Sequence, residues 1–349
     1  MRVVAVLYPG GPAAIETPEL LGCVENALGL RPMLEARGHE LIATSETGEG
    51  LDRLLPDAEV VIATPFWPAY ITRDRIARAP KLRLLLTAGV GSDHFDLAAA
   101  AERKITVAEI TGSNVVSVAE HVVMQILALV RNFIPSYQEV LRGGWDIGSI
   151  AARSHDLEDK TIGIVGMGRI GQRVAARLRP FDVRVRYYDN RRLSTTEEEV
   201  LGAHYMPLDS LIPVCDVVSI NAPLTPATDR LFDGARLARM KRGAYLVNTA
   251  RGRIVDTDAL VAALQSGHLA GYAGDVWYPQ PAPKDHPWRS MPHHAMTPHV
   301  SGTSLEAQRR YADGIQDCLA RHFDGRPIDR DYLIVDGGKV VSPSYSYAY

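Results

Sequence analysis

The chain has 349 residues, 46% of them hydrophobic and 23% charged, with a formal net charge of −3. That length exceeds one ordinary core and predicts two domains, and the composition argues against a disordered chain, a collagen-like repeat or a coiled coil. Without a basic excess there is little to displace counterions from a phosphate backbone, so nucleic acid is not an expected partner.

Short β-branched runs alternate with helix-length segments from the N-terminus onward. Strands are expected over 2–7, 41–44, 60–64, 82–87 and 106–109, then over 161–165, 184–188, 217–220, 244–247, 271–276 and 295–296. Strands separated in this way imply parallel sheets in two α/β layers. A long apolar helix is expected from Val115, with Ser117 and Glu120 at capping-box spacing. The stretch 115–130 is broken by Glu120, His121 and Gln125 and is short for a bilayer, so it reads as a buried helix and no membrane is expected. An amphipathic pattern over 305–323 follows a second crossing near His299–Ser304. The fold expected is α/β with two doubly wound parallel-sheet domains. A Rossmann coenzyme domain, 115–300, is inserted in a discontinuous flavodoxin-like catalytic domain, 1–114 and 301–349. The opening residues carry no signal-peptide architecture. Cys23, Cys215 and Cys318 are scattered, without a C-x-x-C, which suits a reducing compartment. A cytoplasmic location is expected, and the tail 342–349 is expected to cover the surface or fray.

The strand at 161–165 runs directly into Gly166-Met167-Gly168-Arg169-Ile170-Gly171, followed by a helical pattern. That context is what a dinucleotide turn requires. Gly166 permits the tight turn, Gly168 lets backbone approach a pyrophosphate, and Gly171 lets helix and strand pack closely. The helix start offers free N–H groups to the phosphates. The next strand ends at Asp189, 18 residues beyond Gly171, where a carboxylate accepts hydrogen bonds from a ribose 2′-hydroxyl and repels a 2′-phosphate. NAD is therefore expected over NADP, although Arg191 and Arg192 alongside could instead welcome that phosphate.

In open parallel sheets ligands sit beyond the carboxyl ends of strands. The residues there are chemically unusual: Asn221-Ala222-Pro223, Asn248-Thr249-Ala250-Arg251-Gly252, Asp275 and Thr297-Pro298-His299 in the middle of the chain. Pro65-Phe66-Trp67, Ala88-Gly89-Val90-Gly91 and Gly112-Ser113-Asn114 stand at corresponding places in the first part. Two sheets with such ends predict a substrate site between domains. Arg251 suits a bidentate clamp on a carboxylate, or else a structural ion pair. His299 reads as a site residue or a satisfied core histidine, and Gln280, in a proline-stiffened loop, as a site residue or a plain loop amide. His286, His293 and His294 lack metal-ligand spacing, so no metal is expected.

These motifs together resemble the D-2-hydroxyacid dehydrogenase superfamily. Within it, Pro65-Phe66-Trp67-Pro68-Ala69-Tyr70, Gly91-Ser92-Asp93-His94, the block from Gln280 to Arg289, and Ser301-Gly302-Thr303-Ser304 resemble the metal-free, NAD-dependent formate dehydrogenases. The resemblance implies that Arg251 and Asn114, with the backbone N–H of Val90, hold the carboxylate of formate. It implies that His299 with Gln280 completes the polar side and that Phe66 forms an apolar wall. Asp275 and Ser301 would orient the nicotinamide carboxamide, and Asp189 the adenosine ribose, with Arg169 and Ile170 at the pyrophosphate. Pro223, Thr249 and Gly302 join the expected cofactor-contacting set, as do Arg251 and His299. A homodimer through the coenzyme domains is implied as well.

Gln280 carries the chemical distinction. Oxidising a 2-hydroxy acid releases a proton and needs a base, which the wider superfamily supplies as a His paired with Glu. Formate loses only a hydride, so a neutral Gln can orient the imidazole without adding negative charge beside an anion. A glyoxylate or hydroxypyruvate reductase is the nearest alternative. A non-catalytic NAD-sensing protein is another, since fold does not fix function.

Overall fold

Runs of Val, Leu and Ile too short for helices are buried on both faces, as strands in the middle of a parallel sheet must be. The computed structural model describes residues 1–17, 20 and 22–345. In chain order its strands are β1 Arg2–Val6, β2 Glu40–Thr44, β3 Val60–Ala63, β4 Leu84–Thr87, β5 Thr106–Glu109, β6 Thr161–Val165 and β7 Arg184–Tyr188. They continue with β8 Ala203–Tyr205, β9 Val217–Ile220, β10 Ala244–Asn248, β11 Leu269–Gly274, β12 His294–Met296, β13 Leu333–Asp336 and β14 Lys339–Val340. The chain divides into two compact units, Met1–Asn114 with Gly302–Tyr349, and Val115–Ser301.

The first unit holds a sheet in the order β14-β13-β5-β4-β3-β1-β2. Its strands β1 to β5 are parallel, and their order is that of flavodoxin-like folds. The antiparallel β13 and β14 extend one edge and were not anticipated as strands. Two apolar layers sandwich this sheet. One contains the buried side of the helix Leu305–Phe323, which Ser304 caps by accepting a hydrogen bond from the Ala307 N–H at 3.2 Å.

The second unit holds an all-parallel sheet in the order β12-β11-β10-β9-β6-β7-β8, the Rossmann arrangement with its reversal between β6 and β9. The helix Val115–Val130 buries Val118, Ala119, Val122 and Ile126 in this unit's core. Ser117 and Glu120 lie inside that helix, so their spacing does not mark its start. Glu120 instead meets Arg177 at 3.2 Å. The helix's other polar interruptions are also used: Gln125 donates to Gly274 O at 3.2 Å, and His121 Nε2 lies 3.2 Å from Thr297 Oγ1. Among the described residues, no single helix is long and apolar enough to cross a membrane. Of the tail expected to cover the surface or fray, residues 346–349 lie outside the described residues, while Tyr345 packs against an apolar layer of the first unit.

Candidate active site

Register decides which side chains meet. In the second unit Val165 pairs with Ile220, Ile220 with Asn248, Asn248 with Gly274 and Gly274 with Met296. The residues following these five strands therefore emerge along one edge, as the motifs predicted.

At the point of reversal, Gly166 has φ +93°, and a Cβ there would lie 2.6 Å from Ala222 N. A Cβ on Gly171 would lie 2.2 Å from Gly166 O, so the turn and the helix Arg169–Leu178 touch backbone to backbone. A Cβ on Gly168 would meet nothing within 4 Å, and no side chain caps the helix that follows it. Exposed Arg169 and half-buried Ile170 open that helix. Alongside, Asn221 Oδ1 is buried without a hydrogen-bond partner. Open space over a glycine and uncapped helix N–H groups fit a pyrophosphate-bearing ligand, while the Asn221 oxygen can take only a donor such as a hydroxyl.

Asp189 accepts hydrogen bonds from the Met167 N–H at 2.7 Å and the Arg191 N–H at 2.9 Å. It thus ties the glycine turn to the end of β7, and a carboxylate's further lone pairs remain for a hydroxyl pair. Arg192 does not face this carboxylate. It forks onto Glu198 at 2.9 and 3.1 Å and lies over the Tyr205 ring. Tyr187 donates to the same Glu198 at 2.7 Å, and these two partners hold the Glu198 carboxyl down at about 2. The Tyr187 phenol is pushed up to about 12 by burial and by that carboxylate. Pro223 O accepts from Thr228 Oγ1 at 2.6 Å, and Thr249 is buried.

The Arg251 turn is wrapped by Asn248, a fully buried residue that sequence reasoning quoted without giving it a role. Its amide donates to Arg251 O at 2.9 Å and accepts from the Ala250 N–H at 3.0 Å. Gly252 must be glycine, since a Cβ would lie 2.5 Å from the carbonyl carbon of Trp277. The turn therefore runs against the loop that carries Gln280. That loop is pinned at Trp277, whose indole donates to Thr297 O at 2.8 Å. Arg289 lies over the same indole and donates to Pro283 O and Ala282 O. His286 donates through Nε2 to Tyr278 O at 3.0 Å and accepts the Trp288 N–H on Nδ1. Among the described residues no three His, Cys, Asp or Glu side chains form a metal cluster.

His299 stands at φ +59° with its Nδ1 2.9 Å from Gln280 Oε1. A carbonyl oxygen only accepts, so Nδ1 carries the proton in this pairing. Asp275 is fully buried directly behind. It accepts from Thr297 Oγ1 at 2.6 Å and from the N–H groups of Val300 and Ser301 at 2.8 Å each. Its oxygens thus hold the Thr297 side chain before His299 and the backbone of Val300 and Ser301 after it, and these backbone bonds were not anticipated for this residue. Burial pushes the His121 imidazole below its usual range, against the pull of Asp275 4.0 Å away.

In the first unit Ala63, Thr87 and Glu109 stand side by side in register at the ends of β3, β4 and β5. Phe66, Val90 and Asn114 follow these ends, so the sheet brings them to one edge. A Cβ on Gly89 would lie 3.0 Å from the Pro65 ring, which sets the Val90 turn close over the Phe66 loop. Asn114 Oδ1 is buried without a partner, and Gly302 makes room for this amide: a Cβ there would lie 2.6 Å from Asn114 Nδ2. Gly302 is thus the seat of Asn114.

The pattern of D-isomer specific 2-hydroxyacid dehydrogenase NAD-binding domains matches residues 123–301. Formate dehydrogenase 2, mitochondrial, of Oryza sativa subsp. japonica is 52% identical over 346 residues, 98% of this chain and 91% of that protein. The solved structure of a Granulicella formate dehydrogenase superposes with a TM-score of 0.95 at 48% identity, covering 98% of this chain and 100% of that one. The NAD-dependent formate dehydrogenase of Staphylococcus aureus, solved in complex with NAD, superposes with a TM-score of 0.90 at 51% identity, covering 96% and 99%.

Proposed function

We propose how this chain, which belongs to the formate dehydrogenase family of the D-2-hydroxyacid dehydrogenases, performs its NAD-dependent oxidation of formate: Arg251 and Asn114 hold the carboxylate, and His299 with Gln280 orients it. Bound NAD+ supplies the electrophilic nicotinamide carbon that accepts formate's hydride, leaving carbon dioxide. The observation that carries the reading is the 2.9 Å pairing of His299 with an amide rather than a carboxylate.

Hydride loss from formate frees no proton, so the residues have only to grip, aim and exclude water. The Arg251 guanidinium forks onto two carboxylate oxygens, a grip a point charge cannot copy. Asn114 and the Val90 N–H donate to the same oxygens. Phe66 and the Val90 side chain present apolar surface, which favours the change from anion to neutral product. Gln280 keeps one imidazole nitrogen engaged without placing a charge near the substrate. Turning its amide over would let its –NH2 face Nδ1 and move the ring proton to Nε2. Asp275 and Ser301 set the backbone beneath His299 and serve the carboxamide end of the coenzyme. Asp189 takes the adenosine ribose, Arg169 and Ile170 lie along the pyrophosphate, and Pro223 and Thr249 line its path. Formate has only three heavy atoms. At a ceiling near −1.5 kcal/mol per atom, its affinity is limited to roughly −4.5 kcal/mol, around a millimolar.

A homodimer through the coenzyme domains is supported by an apolar surface in the second unit. No residue of the helix Phe133–Leu141 is buried, and Tyr137, Leu141, Trp145 and Ile147 are all more than half exposed. A second copy of the chain covers a surface of that kind. Three buried free thiols, Cys23, Cys215 and Cys318, support a reducing location, the cytoplasm in this reading.

The test is NADH absorbance on mixing the protein with formate and NAD+, with NADP+ in parallel. A rise with NAD+ alone is expected. Silence with formate together with NADH consumption by glyoxylate would overturn the weight placed on Gln280.

A further inference from the structure

We propose that Tyr345, in the C-terminal tail, is a positioning residue for formate, because its phenol holds the turn that presents the Val90 N–H. The proposal rests on the reading that this N–H receives a formate oxygen.

The turn after β4 contains two glycines in backbone conformations that other residues avoid, Gly89 at φ +139° and Gly91 at φ +109°. Glycines confer freedom, so the bonds around this turn, not its own residues, determine where the Val90 N–H points. Glu109, at the end of β5, accepts from the Gly91 N–H at 2.9 Å and from Ser92 Oγ at 3.0 Å. Thr87 Oγ1 lies 2.8 Å from the same Ser92 hydroxyl. These partners belong to the strands themselves. The backbone N–H of Ser92, two residues beyond Val90, is bonded differently: it donates to the Tyr345 oxygen at 2.9 Å. The Tyr345 hydroxyl points on toward Glu109 Oε2, 3.4 Å away. One phenol therefore joins the backbone of the turn to the carboxylate that braces it.

The tail reaches this place by a defined route. It leaves the β13–β14 hairpin with the Val341 N–H bonded to Ile334 O at 2.8 Å, then turns through a bond from the Tyr345 N–H to Ser342 O at 3.1 Å. The Tyr345 ring packs against the apolar layer on that side of the sheet. Tyr345 is thus brought across β13 and β5 to the turn after β4. Removing the phenol oxygen would leave the ring and the strands in place and loosen one brace of the substrate turn.

The experiment compares the full-length protein with Tyr345→Phe, which keeps the ring. Two quantities are read: steady-state constants for formate and NAD+, and amide hydrogen exchange of the segment 88–96. The expected result is a formate KM raised about three- to tenfold, the range one neutral hydrogen bond spans, with the NAD+ KM within about twofold. The fall in kcat should be smaller than the rise in formate KM, and exchange at the turn should be faster. Unchanged exchange with unchanged formate KM would remove Tyr345 from the site. Faster exchange with unchanged formate KM would show that the tail holds the turn but that the Val90 N–H does not hold formate. An equal rise in both KM values would mean general loosening and overturn the assignment.

Discussion

Replacing Gln280 with Glu tests the central pairing most sharply. Gln280 Oε1 lies 2.9 Å from His299 Nδ1. A carboxylate in its place would accept the same hydrogen bond, so the geometry is preserved and only charge is added. With the imidazole between them, that charge would stand about 8 Å from an anion at Nε2. Coulomb's law at an effective dielectric near 20 then gives about 2 kcal/mol of repulsion, roughly thirtyfold in formate kcat/KM. The carboxylate would also raise the His299 pKa, because an adjacent negative charge favours the imidazolium. Below that raised value the imidazolium offsets the new charge, and above it the penalty is felt in full. Formate turnover by Gln280→Glu should therefore fall as pH rises through that raised value. The same imidazolium can donate a proton to a keto oxygen, so glyoxylate reduction should increase on the acid side. The assay is initial-rate NADH absorbance from about pH 6 to pH 10 with both substrates. Equal formate kcat/KM and an unchanged pH profile would refute the argument that a neutral partner is needed.

Three further substitutions probe separate parts of the chain. Arg251→Lys should lower formate kcat/KM about a hundredfold, roughly 3 kcal/mol for a lost charge-assisted fork; near-normal turnover would remove Arg251 from the clamp. Leu141→Asp should convert a two-chain mass in light scattering into a one-chain mass, and an unchanged mass would place the interface elsewhere. Glu198→Gln should cost about 1–3 kcal/mol in urea unfolding at pH 7. The Glu198 carboxyl is held down at about 2 by Arg192 and Tyr187, so its stabilisation is present above the ordinary glutamate range and fades as pH falls toward 2. The deficit of the variant should shrink by about half at pH 3, and a pH-independent deficit would mean that packing rather than charge is lost.

The parts of this protein legible in its sequence are those encoded by neighbours in the chain. β3 and β4 were readable because four consecutive apolar or β-branched residues have no other use than a doubly buried strand. The glycine turn was readable because each glycine answers a separate local demand, which the close approaches at Gly166 and Gly171 bear out. Local spacing failed where the same spacing has two meanings. Ser117 and Glu120 satisfy a capping pattern, yet any helix interior places residues three apart on one face. Strand β8, of three residues, is too short to show alternation, and β13 and β14 run antiparallel at an edge, where an alternating α/β pattern gives no cue. The partners of the site were least legible, because they are paired by the fold. Asp275 meets the N–H groups of Val300 and Ser301 only once β11 and β12 lie in register. Arg192, which the chain places beside Asp189 as a candidate phosphate ligand, is turned away by Glu198 on the next helix. Side chains facing substrate must take particular chemical types at strand ends and so leave a pattern, whereas the residues that aim them need only a donor or acceptor at the right place. Many sequences supply that equally well, which is why Asn248, Trp277 and Tyr345 carry their roles without announcing them.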